Sequence, residues 1–214
     1  MLTGENMQST KTPRQFYTEL GYKKLAERKP SPYTKSELAY LIRLIRKSDN
    51  ILDLACGYGR FTIPMAKKGY HIEGIDITPA FIKKAREESR KNHTKIRFRI
   101  GDMRKLPYKT GSFSVVICMW GAFGEILGKR DQKKAILEIY RVLKPGGFAL
   151  IEVHSNKSSG YQKPGKIAGI ISNPHYKHNK ESLRNLVRIA NIGKSRVFTD
   201  AFGGRTRLFL QFWR

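Results

Sequence analysis

One short stretch narrows the possible folds of this chain more than any other: Ile51-Leu-Asp-Leu-Ala55-Cys-Gly57-Tyr-Gly59-Arg60. Four of its first five residues are apolar, two glycines follow, and a helical pattern begins directly after them. A buried strand that turns on glycine into a helix is the opening unit of an α/β layer. The same unit then recurs. The spacing predicts strands at Ile51–Ala55, His71–Asp76, Ile96–Ile100, Phe113–Met119 and Phe148–His154. Helices fall between them, ending near Lys68, running from Thr78-Pro79 to about Asn92, and spanning Lys133–Leu143 up to Pro145-Gly146-Gly147. Strands alternating with helices of this length form a parallel sheet covered on both faces.

The two ends of the chain differ from this middle. Helices are expected at Gln15–Arg28 and Thr34–Arg46, with Pro30 and Pro32 forcing an extended link between them. After a helix at Glu181–Ala190, the runs Arg196–Phe202 and Thr206–Trp213 flank Gly203-Gly204 as a hairpin. The expected fold is therefore α/β, a doubly wound and mostly parallel sheet of about seven strands closed by a C-terminal antiparallel hairpin. Residues 1–33 are expected to be an N-terminal extension or helical cap, and 34–214 a single domain. Ser155–Lys180 shows no clear element, the mark of a functional or disordered loop.

A glycine turn at a helix N-terminus presents backbone amides to a carboxylate or phosphate. On the loop alone a dinucleotide remains possible, since Asp76 stands where such enzymes hold a ribose. Asp53 shifts the balance. A carboxylate at the end of the first strand repels a pyrophosphate and attracts an ammonium or sulfonium, and the loop lacks the third glycine of the dinucleotide fingerprint. Charge thus favours S-adenosylmethionine. In Gly101-Asp102-Met103, the acid could accept from an adenine amino group while the methionine packs on the ring; a plain turn residue is the alternative.

Taken in order, ILDLACGYGRF, HIEGIDITPAFIKKARE, FRIGDMRKLP, FSVVICMWGAFGEI and EIYRVLKPGGFALIEV resemble the class I, Rossmann-like methyltransferases that use S-adenosylmethionine. The likeness runs from about Tyr33 to His154 and, with the last helix and hairpin, reaches the C-terminus. GDMRKLP and WGAFGEI look most like a small-molecule-type group. The resemblance implies that Gly57 and Gly59 approach the methionine part and that Asp76 holds the ribose, and Asp53 and Ile77 are expected among the cofactor-binding residues. It implies that Asp102 and Met103 frame the adenine, and that Met119 and Trp120 close over the cofactor. Direct displacement at the methyl carbon needs an aligned nucleophile more than a base. Glu125 and His154, just past strand ends, are the candidate catalytic residues. Tyr17 and Tyr33 could cover the site from the N-terminal helices, with core packing as an equal explanation. Ser114 departs from the aspartate often found at the start of the fourth strand, and the stretch before the last helix looks short for a substrate lid.

Charge leaves a second class of partner open. The net charge is +25, and residues 155–214 hold twelve Lys/Arg against two acids. Such a balance suits an acidic partner, so an RNA or ribosome-linked methyltransferase stands beside the expected small-molecule acceptor, with a catalytically silent cofactor-binding partner subunit as a third reading. No apolar run approaches the ~20 residues of a membrane span. The N-terminus has no apolar signal core, and Cys56 and Cys118 make no disulfide framework, so a cytoplasmic location is expected. His175 and His178 lack further ligands, and no metal site is expected.

Overall fold

In a computed structural model of the chain, the run after Asp49 forms β1 (Asn50–Leu54), buried at every residue after the first. The structure describes residues 11–27, 31–154, 159–163, 166–167, 170–171, 173–202 and 205–214. β1 pairs in parallel with β2 (His71–Asp76) on one side and β4 (Phe113–Cys118) on the other. Beyond them, β3 (Phe98–Ile100) lies parallel to β2, and β5 (Leu143–Val153) parallel to β4. The sheet ends in an antiparallel pair, β10 (Ser195–Phe202) and β11 (Arg205–Trp213), with β11 against β5. The seven-stranded order is β10-β11-β5-β4-β1-β2-β3. This is the expected doubly wound sheet with its antiparallel finish.

Strand side chains alternate between the two faces, and the core divides accordingly. Leu52, Leu54, Val116, Cys118, Ile151 and Leu210 join one apolar cluster, packed under α5 (Lys129–Val142) and α6 (Lys180–Ile189). Their neighbours Ile51, Val115, Ile117, Leu150 and Phe209 join the other, with Leu41 and Ile45 from the α2 (Ser31–Leu44) side and Met65 from α3 (Thr62–Lys67). Helices on both faces leave ligand access at the strand ends. Between β1 and β4 the order of the chain reverses, which opens a crevice at their carboxyl ends.

Several local expectations are corrected. Pro32 sits in the first turn of α2, where a missing N–H costs nothing, and not in an extended link. α1 (Pro13–Glu27) is broken by Gly21 at φ 70 and ψ 162. Thr78 does precede α4 (Pro79–Lys91), but its hydroxyl makes no capping hydrogen bond. The Pro145-Gly146-Gly147 segment lies inside β5 and not before it; α5 passes into the strand at Leu143, and the register against β4 shifts there. The described residues between 155 and 180 include two short antiparallel pairs, β6 (Gly160–Gln162) with β9 (His175–Lys177) and β7 (Lys166–Ile167) with β8 (Ile170–Ile171). Gly203-Gly204 lies outside the described residues. Among the described residues, no helix is long and apolar enough to cross a membrane.

Candidate functional site

At the carboxyl end of β1 the chain takes three left-handed residues, Ala55, Gly57 and Gly59, at φ 55, 58 and 90. At Gly59 a side chain would also collide, since a Cβ there would stand 2.8 Å from Ile63 Cδ1. Asp76, at the end of β2 and 7% exposed, ties this loop to the next helix. Its Oδ2 accepts from Gly57 N–H at 2.9 Å and its Oδ1 from Thr78 N–H at 2.8 Å. Asp53 is 2% exposed and accepts from the Thr62 hydroxyl at 2.6 Å, which fixes the loop to the start of α3.

Asp102 lies in the turn beyond β3. Burial works to raise its pKa, but hydrogen bonds from the Arg104 guanidinium and backbone outweigh burial and hold the carboxyl below its usual value. Arg104 also reaches Asp131 at 2.7 Å, so the turn is clamped to α5. Half-buried Met103 packs on the core beneath α5. Ile77 is half-buried directly after Asp76. Met119 is buried after β4, and Trp120 next to it is half-buried.

Glu125 ends a 3-10 turn, Ala122–Glu125. Its carboxylate accepts from the Tyr17 hydroxyl of α1 at 2.9 Å and from the Asn173 side-chain amide. His154, exposed after β5, has its ring 5.7 Å from that of His175 on β9. The His154 carbonyl accepts from His178 N–H at 3.0 Å. Gly124 is required by close approach: a Cβ there would stand 2.7 Å from the Tyr176 carbonyl oxygen. Glu125, His154 and β9 therefore meet at one end of the crevice. The segment expected to be featureless supplies Asn173 and His175 to this cluster.

Helix α1 lies across the same edge. Leu25 is buried and its Cδ2 is 4.0 Å from the place of a Cβ at Gly57. The Tyr17 ring is 5.9 Å from that of Phe81 on α4, and Lys84 lies over the Tyr22 ring at 4.5 Å. One helix thus touches the glycine loop, α4 and the Glu125 turn.

Behind this edge is a group of charges that the sequence reading did not single out. Glu37 of α2 is 1% exposed and accepts from Arg60 at 2.7 Å, Arg207 at 3.1 Å and Trp120 Nε1–H at 2.6 Å. Burial pushes the Glu37 carboxyl up, although Arg60 opposes it. Arg207 also pairs with Glu152 of β5. One signal was present: Glu152 and Arg207 are charges set within apolar strands.

Other groups are quieter. Burial pushes both the Cys56 and Cys118 thiols well up, so neither is a ready nucleophile. Among the described residues no group of His, Cys, Asp or Glu is placed to hold a metal.

Residues 51–147 match a family model described as a methyltransferase domain. Over 112 residues the chain is 34% identical to the demethylmenaquinone methyltransferase of Deinococcus radiodurans, covering 51% of this chain and 45% of that protein. The chain spans about half the length of the curated relatives it matches. Among solved structures, the sugar N-methyltransferase KedS8 from Streptoalloteichus sp. is similar at a TM-score of 0.72 and 17% identity, over 91% of this chain and 93% of that one. Magnesium protoporphyrin IX methyltransferase from Synechocystis, solved with SAM bound, gives 0.61 at 16% identity over 85% and 77%. At these identities the structural likeness speaks to the fold.

Proposed function

We propose that the chain, whose residues 51–147 match a family model described as a methyltransferase domain, transfers a methyl group from S-adenosylmethionine to an oxygen or nitrogen of a small molecule. The observation that carries this reading is the acidity of the crevice edge. In a chain of net charge +25, β1, β2 and β3 each carry an aspartate within two residues of their carboxyl ends, Asp53, Asp76 and Asp102. Such an edge disfavours a pyrophosphate and suits a ligand with a cationic centre and hydroxyl donors. The residues present suit that ligand: the left-handed turn at Gly57 and Gly59 offers backbone to its methionine part, Asp76 stands toward its ribose, and Asp102 with Met103 borders its adenine. When bound, the cofactor supplies an electrophilic methyl carbon on a sulfonium.

The rest of the work falls to this chain's residues. Residues 1–33 serve as a cap on a single catalytic domain of 34–214, and α1, through Leu25 and Tyr17, keeps water from the crevice. Glu125, fixed by Tyr17 and Asn173, orients the acceptor. His154, exposed beside His175, takes the proton that the acceptor loses. Alignment of the acceptor is the larger contribution, since proximity supplies more of such a barrier than proton transfer does. The test is transfer of labelled methyl into a metabolite mixture. We expect labelling of a small acceptor that is unaffected by ribonuclease; a folded protein giving no label in any fraction contradicts the reading.

A second reading, an RNA acceptor, is favoured by one observation. The outer faces of α5 and α6 expose Arg130, Lys134, Arg184 and Arg188 on neighbouring helices. Under that reading, labelling is abolished by ribonuclease and binding to total RNA falls steeply with salt.

A further inference from the structure

Trp120 is held in an uncommon way. It follows β4 at φ +63, a left-handed conformation in which a bulky side chain is strained. Both of its N–H groups end on buried carboxylates from different elements. The backbone N–H donates to Glu152 Oε2 at 3.0 Å, and the indole Nε1–H donates to Glu37 Oε2 at 2.6 Å. Two guanidiniums complete the arrangement, Arg60 at 4.4 Å and Arg207 at 5.2 Å from the centroid of the indole ring.

These four charged side chains are 9% exposed or less. Two carboxylates and two guanidiniums cancel formally, so the group tolerates burial. It is nonetheless a poor way to gain stability, because apolar residues of like volume are often as stabilising or more so. What such a network does supply is fixed geometry around the residue at its centre.

The position of Arg60 gives that geometry a direction. Arg60 follows Gly59 immediately, and its guanidinium spans Thr34 at 3.0 Å and Glu37 at 2.7 Å. The glycine loop is therefore joined to α2, and α2 to the indole, through one carboxylate. Glu37 Oε2 accepts both the Arg60 and the Trp120 hydrogen bonds. A shift of the loop cannot leave the indole where it is without breaking one of the two.

We infer that Glu37 is a positioning residue that couples occupation of the glycine loop to the placement of Trp120, the residue that leads from β4 into the Ala122–Glu125 turn. The coupling rests on the proposed cofactor reading. Through it, filling the cofactor side sets the shape offered to the acceptor.

The chain has two tryptophans, Trp120 and Trp213. In a Trp213→Phe background, indole emission reports Trp120 alone. S-adenosylhomocysteine is titrated in parallel by calorimetry and by that emission. The expected result is an emission change with the same half-saturation as the heat, and its loss in Glu37→Gln while the heat of binding persists. Arg60→Lys, which keeps the charge but cannot span Thr34 and Glu37 together, is expected to lose it likewise and serves should Glu37→Gln not fold. Heat without an emission change overturns the coupling. So does an emission change that survives in the variants, which would mark direct contact of ligand and indole, and so does a folded variant that no longer binds. Absence of heat in the parent protein instead overturns the cofactor reading beneath it.

Discussion

The Tyr17 hydroxyl donates to Glu125 Oε1 at 2.9 Å across 108 residues of sequence, pinning the N-terminal helix to the turn that follows β4. This bond joins α1 to the Glu125–His154 end of the crevice, where Asn173 holds the other oxygen of the same carboxylate. Tyr17→Phe should therefore cost about 1.5–3 kcal/mol of stability in urea unfolding, the range for a hydrogen bond to a charged group. Turnover should fall with it, while cofactor affinity changes little. An unchanged midpoint and unchanged turnover would show that α1 is held by its α4 and glycine-loop contacts instead.

Asp76 bridges the glycine loop and α4 through two backbone N–H bonds. Asp76→Ala should weaken cofactor binding by about 1.5–3 kcal/mol, as ribose hydroxyls lose a charged acceptor. Calorimetry on the folded variant checks this. A dissociation constant equal to that of the parent would move the ribose away from β2.

His178 makes stability depend on acid. Its ring is 1% exposed and burial lowers its pKa from 6.5 to about 4. Its Nδ1 lies 3.2 Å from Ser182 Oγ, and burial favours the neutral ring. Because the folded value is depressed, the unfolded chain binds the proton first as pH falls. Stability should decline from about pH 6.5 to pH 4 by roughly 3 kcal/mol and then level for this group. His178→Gln should flatten that limb in urea titrations at stepped pH. An equally steep limb in the variant would assign it to other groups.

Gly124 leaves no room for a side chain against the Tyr176 carbonyl. Gly124→Ala should push β9 away and cost about 1–3 kcal/mol, the usual range for overpacking. Activity should suffer more than cofactor affinity, since β9 borders the acceptor end only. A variant of parental stability would mean that β9 shifts freely.

Much of this architecture is readable from local pattern. His71–Asp76 is found as expected because its bounds are set by glycine before it and a Thr-Pro helix start after it. β1 and β4 shift by a residue at most, since fully buried strands are continuous apolar runs. Pro145-Gly146-Gly147 misleads because the same residues that end a helix also fit an irregular strand entry. β6 to β9 are too short for periodicity to register.

The site divides in the same way. Asp53, Asp76 and Asp102 are legible from position, because strand ends face the crevice whatever the side-chain partners. Their wider partners are not legible: nothing local announces that Arg104 joins Asp102 to Asp131 or that Asp53 accepts from Thr62. The Glu37–Arg207 bond spans 170 residues and exists only once α2 and β11 share one face of the sheet. Glu125 and His154 are found at one end of the crevice, but Asn173 and His175, which complete the cluster, come from a stretch without a pattern.

The central claim is that the crevice between β1 and β4 holds S-adenosylmethionine. Calorimetric titration of the folded protein with S-adenosylmethionine and S-adenosylhomocysteine, with NAD as the control, addresses it most directly. The account predicts saturable binding of the first two in the micromolar range and none of NAD. Binding of NAD, or of none of the three, would contradict it.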